Sequence, residues 1–170
     1  GAGPKEKEIK EEIQAKNIEN RVFLTGAMSA EKVRHEMESS GIFLFTSDFG
    51  EGWGAVLNEA MNSGCAVIAS HAAGATPYLV QNGENGLIYE FGNDEKLYEK
   101  LKYLLLNPKE QKKLGAAAYK TISEEWNAEI AAERFLNLTK RILNGEKNPD
   151  IYKNGPCSKA EILKNDWWKE

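Results

Sequence analysis

At 170 residues, with 41% hydrophobic and 28% charged side chains, the chain has the size and composition of one globular domain with a substantial core. Its net charge of −4 argues against a nucleic-acid binder, whose affinity would rest on Lys and Arg set against phosphates. No apolar run approaches the ~20 residues that a membrane helix needs, and no signal peptide is visible. Cys65 and Cys157 form neither a metal spacing nor a disulfide framework, and Cys65 reads as a small hydrophobe, so a reduced, cytoplasmic setting is expected.

In chain order, the apolar spacing predicts helices over Lys5–Lys16 (Ile9, Ile13) and Ala30–Ser39 (Val33, Met37), with a strand at Val22–Thr25 between them. A second strand, Ile42–Thr46, runs into a loop holding Gly50, Gly52 and Gly54 and then a helix, Gly54–Ser63, with Val56, Leu57, Ala60 and Met61 on its apolar stripe. Strands follow at Ala66–Ser70 and Leu87–Tyr89, and helices at Asp94–Leu106, Glu110–Glu125 and Ala128–Leu143. The last helix carries Ile130, Ala131, Phe135, Leu138 and Ile142 on one face. Short apolar strands alternating with helices predict a parallel sheet covered on both faces. The composition changes at Asn144. Residues 1–144 read as the α/β domain and 145–157, with two prolines and two glycines, as a linker. Residues 158–170 read as a short amphipathic helix opened by a Ser158/Glu161 capping box and presenting Ile162, Leu163 and Trp167, with Trp168 adjacent.

The stretch Ser47–Gly64 (SDFGEGWGAVLNEAMNSG) carries the chemistry. Glycines let backbone approach a ligand, and the first N–H groups of a helix are unpaired and partially positive, so strand, glycine turn and helix start form a place to hold a phosphate. Glu51 in the turn and Glu59 two helical turns later bracket it with carboxylates able to accept hydrogen bonds from sugar hydroxyls. Glu59 falls off the apolar stripe, which alone would make it an ordinary solvated glutamate. Glu51 alone would be a loop carboxylate favoured by a helix dipole. His35 and His71 read as structural. There is no Asp-x-Asp pair and no His/Cys/carboxylate cluster, so no metal is expected.

Glu51-Gly52-Trp53-Gly54 followed by Asn58-Glu59-Ala60-Met61 resembles the paired-glutamate signature of family 4 retaining glycosyltransferases, which have the two-domain GT-B fold. Gly1-Ala2-Gly3-Pro4, Arg21–Gly26, Cys65–Ser70, Gly74-Ala75-Thr76-Pro77 and Asn82–Ile88 resemble further family segments in the family's order. The likeness covers residues 1 to about 143. It implies the C-terminal, nucleotide-sugar-binding half of GT-B, a Rossmann-like parallel sheet flanked by helices, here lacking its first two strands. It also implies a further, N-terminal domain outside this chain, bearing the acceptor site and any peripheral membrane contact.

By resemblance, Glu59 accepts from the ribose hydroxyls of a nucleoside-diphosphate sugar. Glu51 faces the transferred sugar, as nucleophile or as a holder of its hydroxyls. The N–H groups around Gly52, Trp53, Gly54 and Ala55 face the sugar and diphosphate, and Gly26, Ala27, Met28 and Gly3 border the nucleobase. Trp53 stands where the family has phenylalanine and reads equally as a packing residue under the loop. Tyr78 departs from the glutamate that usually follows Pro77. The donor is a substrate, and no cofactor is implied. The C-terminal Trp-bearing segment either crosses to the N-terminal domain or packs on its own domain.

A scaffold that keeps the fold without turnover has no reason to keep both glutamates. A dehydrogenase would need a third glycine at the dinucleotide spacing, and Pro4 stands after Gly1-Ala2-Gly3 instead. In the family's strand order 3-2-1-4-5-6, losing strands 1 and 2 exposes edges that recruit partners. The expected repairs are direct pairing of Val22–Thr25 with Ile42–Thr46, or a homo-oligomer; a third possibility is that the two strands belong to the protein outside this chain.

Overall fold

A computed structural model describes residues 2–160, 162–164 and 166–169. It divides into two units, Gly1–Glu36 and Met37–Glu170.

The first unit is built on α1 (Glu6–Ala15), which buries Ile13 and presents Lys/Glu pairs to water. The Lys10 ammonium, hydrogen-bonded to Glu6, holds that carboxyl below its ordinary pKa. Residues 22–25 are a correction to the sequence reading. They form no strand, and Val22, Phe23 and Leu24 are exposed. The residue types suit a strand, but β-structure exists only where N–H and C=O groups meet a neighbouring strand's. The expected direct pairing with Ile42–Thr46 presupposes a strand that residues 22–25 do not form. Helix α2 (Ala30–Ser39) leads out of this unit and contributes the buried Met37 to the next.

The second unit holds the sheet. Strands β1 (Ile42–Phe45), β2 (Ala66–Ser70) and β3 (Leu87–Tyr89) are parallel in the order β1-β2-β3. Their registers run Ile42↔Ala66 to Phe45↔Ala69 and Ile68↔Leu87 to Ser70↔Tyr89. Every residue of β2 is buried, as the central strand of a sheet covered on both faces must be. Ala66, Ile68, Leu87, Tyr89, Leu104 and Leu114 form one apolar cluster, with Ile42, Leu97 and Leu101 packed against it.

Helix α3 (Ala55–Asn62) buries Leu57, Ala60 and Met61, and α4 (Thr76–Leu79) is a single turn that the sequence reading did not anticipate. Helix α5 (Asp94–Leu106) is capped by the Asn93 side chain, which accepts from the Lys96 N–H at 3.0 Å. Helix α6 (Pro108–Glu124) begins earlier than expected because Pro108 suits a first helical turn. It buries Leu114, Gly115, Ala118 and Ile122. At Gly115 a Cβ would press on the Gly64 carbonyl, so glycine permits helix and turn to touch.

Helix α7 (Ala128–Leu143) has the expected bounds, but none of its residues is buried. The C-terminal segment is a second correction. Residues 158–160 and 162–164 are not helical, and the described helix there is a 3₁₀ turn at Trp167–Lys169. Glu161, the capping partner, lies outside the described residues. A helix this short is marginal without a packed face, and Ile162 is 98% exposed.

Candidate functional site

The site begins where β1 ends. Asp48 turns the chain: its Oδ1 accepts the Gly50 N–H at 2.8 Å and its carbonyl accepts the Glu51 N–H at 3.1 Å. Gly54 then takes φ +85° at the N-cap of α3, where a Cβ would also collide with the Phe45 ring. The glycine is required twice, by conformation and by space.

A second turn fixes the loop from behind. The Gly74 N–H donates to the Glu51 carbonyl at 3.3 Å, and the Ala75 N–H to the Trp53 carbonyl at 2.9 Å. Gly74 packs so tightly that a Cβ would stand 2.8 Å from the Gly52 carbonyl carbon and closer still to its oxygen. The carbonyls of Glu51 and Trp53 are engaged here, while Gly52 and Ala55 are exposed residues.

Thr46, Ser47, Asp48, Gly50, Glu51 and Phe91 line an open cleft of about 450 Å³ at the carboxyl end of β1. This is where parallel α/β sheets accept ligands. Glu51 is half-buried in its wall, while Glu59 is exposed on α3, off the face that carries Leu57, Ala60 and Met61. Glu51, Gly52, Trp53 and Gly54 thus share one loop, Ala55 opens the helix that follows, and Glu59 lies about one turn along that helix. Gly3, Gly26, Ala27 and Met28 belong to the first unit. There the Gly3 carbonyl accepts the Glu6 N–H at 3.1 Å, and Gly26 takes φ +66° ahead of α2.

Trp53 is a packing residue as well as a loop residue. Its Nε1–H donates to Asn58 Oδ1 at 2.9 Å. Its ring stacks on Tyr78 and tilts against Trp126, both at 5.7 Å between centroids. Tyr78, a departure from the usual glutamate, is therefore half of an aromatic stack that supports the loop.

On the other rim, His71 Nδ1 accepts the Phe91 N–H at 2.9 Å. Phe49 meets His71 and Phe91 edge-on, and Trp168 stacks on His71 at 3.7 Å. The C-terminal tryptophan thus packs within its own unit. Burial pulls the His71 pKa below the ordinary histidine value, against an opposing pull from Glu90 and the Tyr89 backbone. Among the described residues no group of three or more His, Cys, Asp or Glu is placed to hold a metal ion, and no helix is long and apolar enough to cross a membrane.

The sequence reading passed over Asp48, Gly74 and Ala75 as site builders. A carboxylate two residues before a glycine was a visible turn signal. The small-residue run Ala72–Ala75 was a visible sign of close backbone approach.

A parallel sheet flanked by helices, with a glycine loop at a strand's carboxyl end, defines a Rossmann-like α/β domain of the kind forming the C-terminal half of GT-B enzymes. The profile of the family "Glycosyl transferases group 1" matches residues 1–121, and the chain belongs to that family. Poly(glycerol-phosphate) alpha-glucosyltransferase of Bacillus subtilis (strain 168) is 31% identical over 120 residues, covering 71% of this chain and 17% of that protein. The crystal structure of the C-terminal domain of LpcC, a glycosyl transferase group 1 family protein from Francisella tularensis, superposes with a TM-score of 0.63 at 26% identity, covering 72% of this chain and 64% of that one. A TarM variant from S. aureus, in complex with Fondaparinux, alpha-GlcNAc-glycerol and UDP, superposes at 0.71 with 28% identity, covering 81% of this chain and 27% of that one. The chain spans 17% to 39% of the lengths of three curated relatives that it resembles.

Proposed function

We propose that this chain is the donor-binding part of a retaining, family 4 GT-B glycosyltransferase. The whole enzyme moves a sugar from a nucleoside-diphosphate donor to a saccharide or lipid acceptor. The observation that carries this reading is the glycine loop, turned by Asp48 and pinned by Gly74 and Ala75, which sets Glu51 into the cleft at the end of β1. The match to the glycosyltransferase family and the UDP held by the TarM variant support it.

In this reading Glu59 accepts the ribose hydroxyls; an acceptor-only carboxylate takes two such donors at once. Glu51 faces the transferred sugar. The amides from Gly52 to Ala55 meet sugar and diphosphate at a helix start whose partial positive charge favours an anion. Gly3, Gly26, Ala27 and Met28 border the base through backbone. The basic groups that neutralise the leaving diphosphate and the acceptor site belong to parts of the protein outside residues 1–170, including an N-terminal domain. The reaction runs without a metal, in the cytoplasm.

Saturation-transfer NMR of the chain with UDP, GDP, ADP and NAD tests the reading. Saturation of one nucleoside diphosphate, reduced by Glu59→Ala, is expected. Saturation of NAD alone points to a dehydrogenase, and saturation of none of the four to a scaffold.

A further inference from the structure

A second cavity, of about 220 Å³, lies within the second unit on the far side of the Trp53 stack. Tyr78 and Trp126 form its aromatic wall, and both rings rest against Trp53 of the glycine loop. Gln81 and Asn154 supply planar amide groups at its edge, and Lys153 and Lys159 supply charge.

The opposite wall is built, not a chance fold of the chain. Arg134 of α7 reaches across to residues 152–156: its Nη1 donates to the Asn154 carbonyl at 2.6 Å, and its guanidinium lies 4.7 Å above the Tyr152 ring. Gly155, at φ +80°, lets that segment close down, since a Cβ there would stand 2.8 Å from Glu125 Cγ. Among the described residues Glu125 is the one acid in the lining, and it faces Arg134 at 3.9 Å. Lys153 and Lys159 make no ion pair among the described residues, so the lining there carries two unpaired ammonium groups beside one paired acid.

We propose that this cavity binds a single sugar unit bearing an anionic group, as a site separate from the cleft at Glu51. Apolar faces of a pyranose stack on aromatic rings, planar amides pair with its hydroxyls, and ammonium groups take the anion. The volume lies below the range for drug-sized ligands, which suits one sugar ring and not a nucleotide sugar. Because Tyr78 and Trp126 both lean on Trp53, occupancy is felt at the glycine loop. The inference does not depend on the donor reading.

The test is an NMR titration of the intact chain, following the indole N–H signals of Trp126 and Trp53 with glucose 6-phosphate, glucose and inorganic phosphate. Glucose 6-phosphate should give saturable shifts at both indoles, and each of the other two should bind at least fivefold more weakly. The double variant Lys153→Ala/Lys159→Ala, confined to exposed side chains and so expected to fold, should weaken glucose 6-phosphate at least tenfold. Trp126→Phe should keep most of the binding and Trp126→Ala should lose it. The proposal is overturned by absence of saturable shifts through the millimolar range, by inorganic phosphate matching glucose 6-phosphate, or by unchanged affinity in the lysine double variant. UDP titrated in parallel reads the other cleft, so the two sites fail or succeed separately.

Discussion

Gly74→Ala should be severely destabilising although Gly74 lies outside the loop that it supports. A Cβ at Gly74 stands 2.8 Å from the Gly52 carbonyl carbon, where ordinary contact begins at 3.4 Å, and its nearest neighbour is the Gly52 carbonyl oxygen. Both atoms are backbone, so no rotamer change relieves the clash and the two turns must separate. Separation lengthens the Gly74 N–H bond to the Glu51 carbonyl, already 3.3 Å, and the Ala75 N–H bond to the Trp53 carbonyl at 2.9 Å. Overpacking costs about 1–3 kcal/mol and each hydrogen bond about 1 kcal/mol, giving roughly 3–5 kcal/mol in all. Against a typical domain stability of about 5–15 kcal/mol this is severe. Gly52→Ala is the matched control, since nothing lies within 4 Å of a Cβ at Gly52. Its stability should stay within about 0.5 kcal/mol of the parent, while donor binding falls because the methyl enters the proposed site. Urea unfolding of the two variants beside the parent measures the difference. Equal midpoints for Gly74→Ala and the parent would refute the claim that the two turns are locked together.

In the enzyme containing this domain, Glu59→Ala should raise the dissociation constant for the nucleoside diphosphate about tenfold or more, from loss of roughly 1.5–3 kcal/mol of charge-assisted hydrogen bonding. Calorimetry showing unchanged affinity removes Glu59 from the site. Glu51→Ala should leave bare nucleoside-diphosphate affinity nearly intact and suppress sugar transfer, so a variant with full transfer activity contradicts its role. Asn85→Ala should cost about 3 kcal/mol, because the buried amide donates to the Leu79 carbonyl and Thr121 Oγ1 (both 2.9 Å) and accepts the Gln81 N–H at 2.7 Å; thermal unfolding checks it. The His71 pKa is lowered in the folded state, so below the ordinary histidine value of about 6.5 the unfolded chain binds the extra proton and the fold loses stability as pH falls, with no contribution from this group above that range. Denaturation midpoints from pH 7.5 down to about 5 should fall less steeply in His71→Phe than in the parent, and parallel profiles would discount the histidine.

What could be read from the sequence was what one residue's neighbours in the chain decide. The run Ala66–Ser70 could only be a strand buried on both sides, and its burial is complete. The glycine loop followed by Glu59 off the apolar stripe was legible because turn, helix start and helix face are all local. Val22–Thr25 shows the opposite case: its side chains suit a sheet, but pairing is a property of the partner, and residues 22–25 form no strand. The capping pattern after Ser158 likewise offered a start signal without a face to bury, and a start signal alone does not hold a helix. In α7 the periodicity of Ile130, Phe135 and Ile142 correctly located a helix, yet no residue of it is buried, since period fixes which side is apolar and not what covers it. Gly74 is the sharpest example, because the small residues around it signal a close approach without saying what approaches. Its necessity comes from a carbonyl at Gly52, brought against it because β1 and β2 are adjacent parallel strands whose following loops leave the sheet on the same edge. Local pattern therefore picks out the loop and helix residues one by one. The contacts that give the loop a fixed geometry belong to the topology, and there Glu51 depends on Gly74 and Ala75, residues with no chemistry of their own.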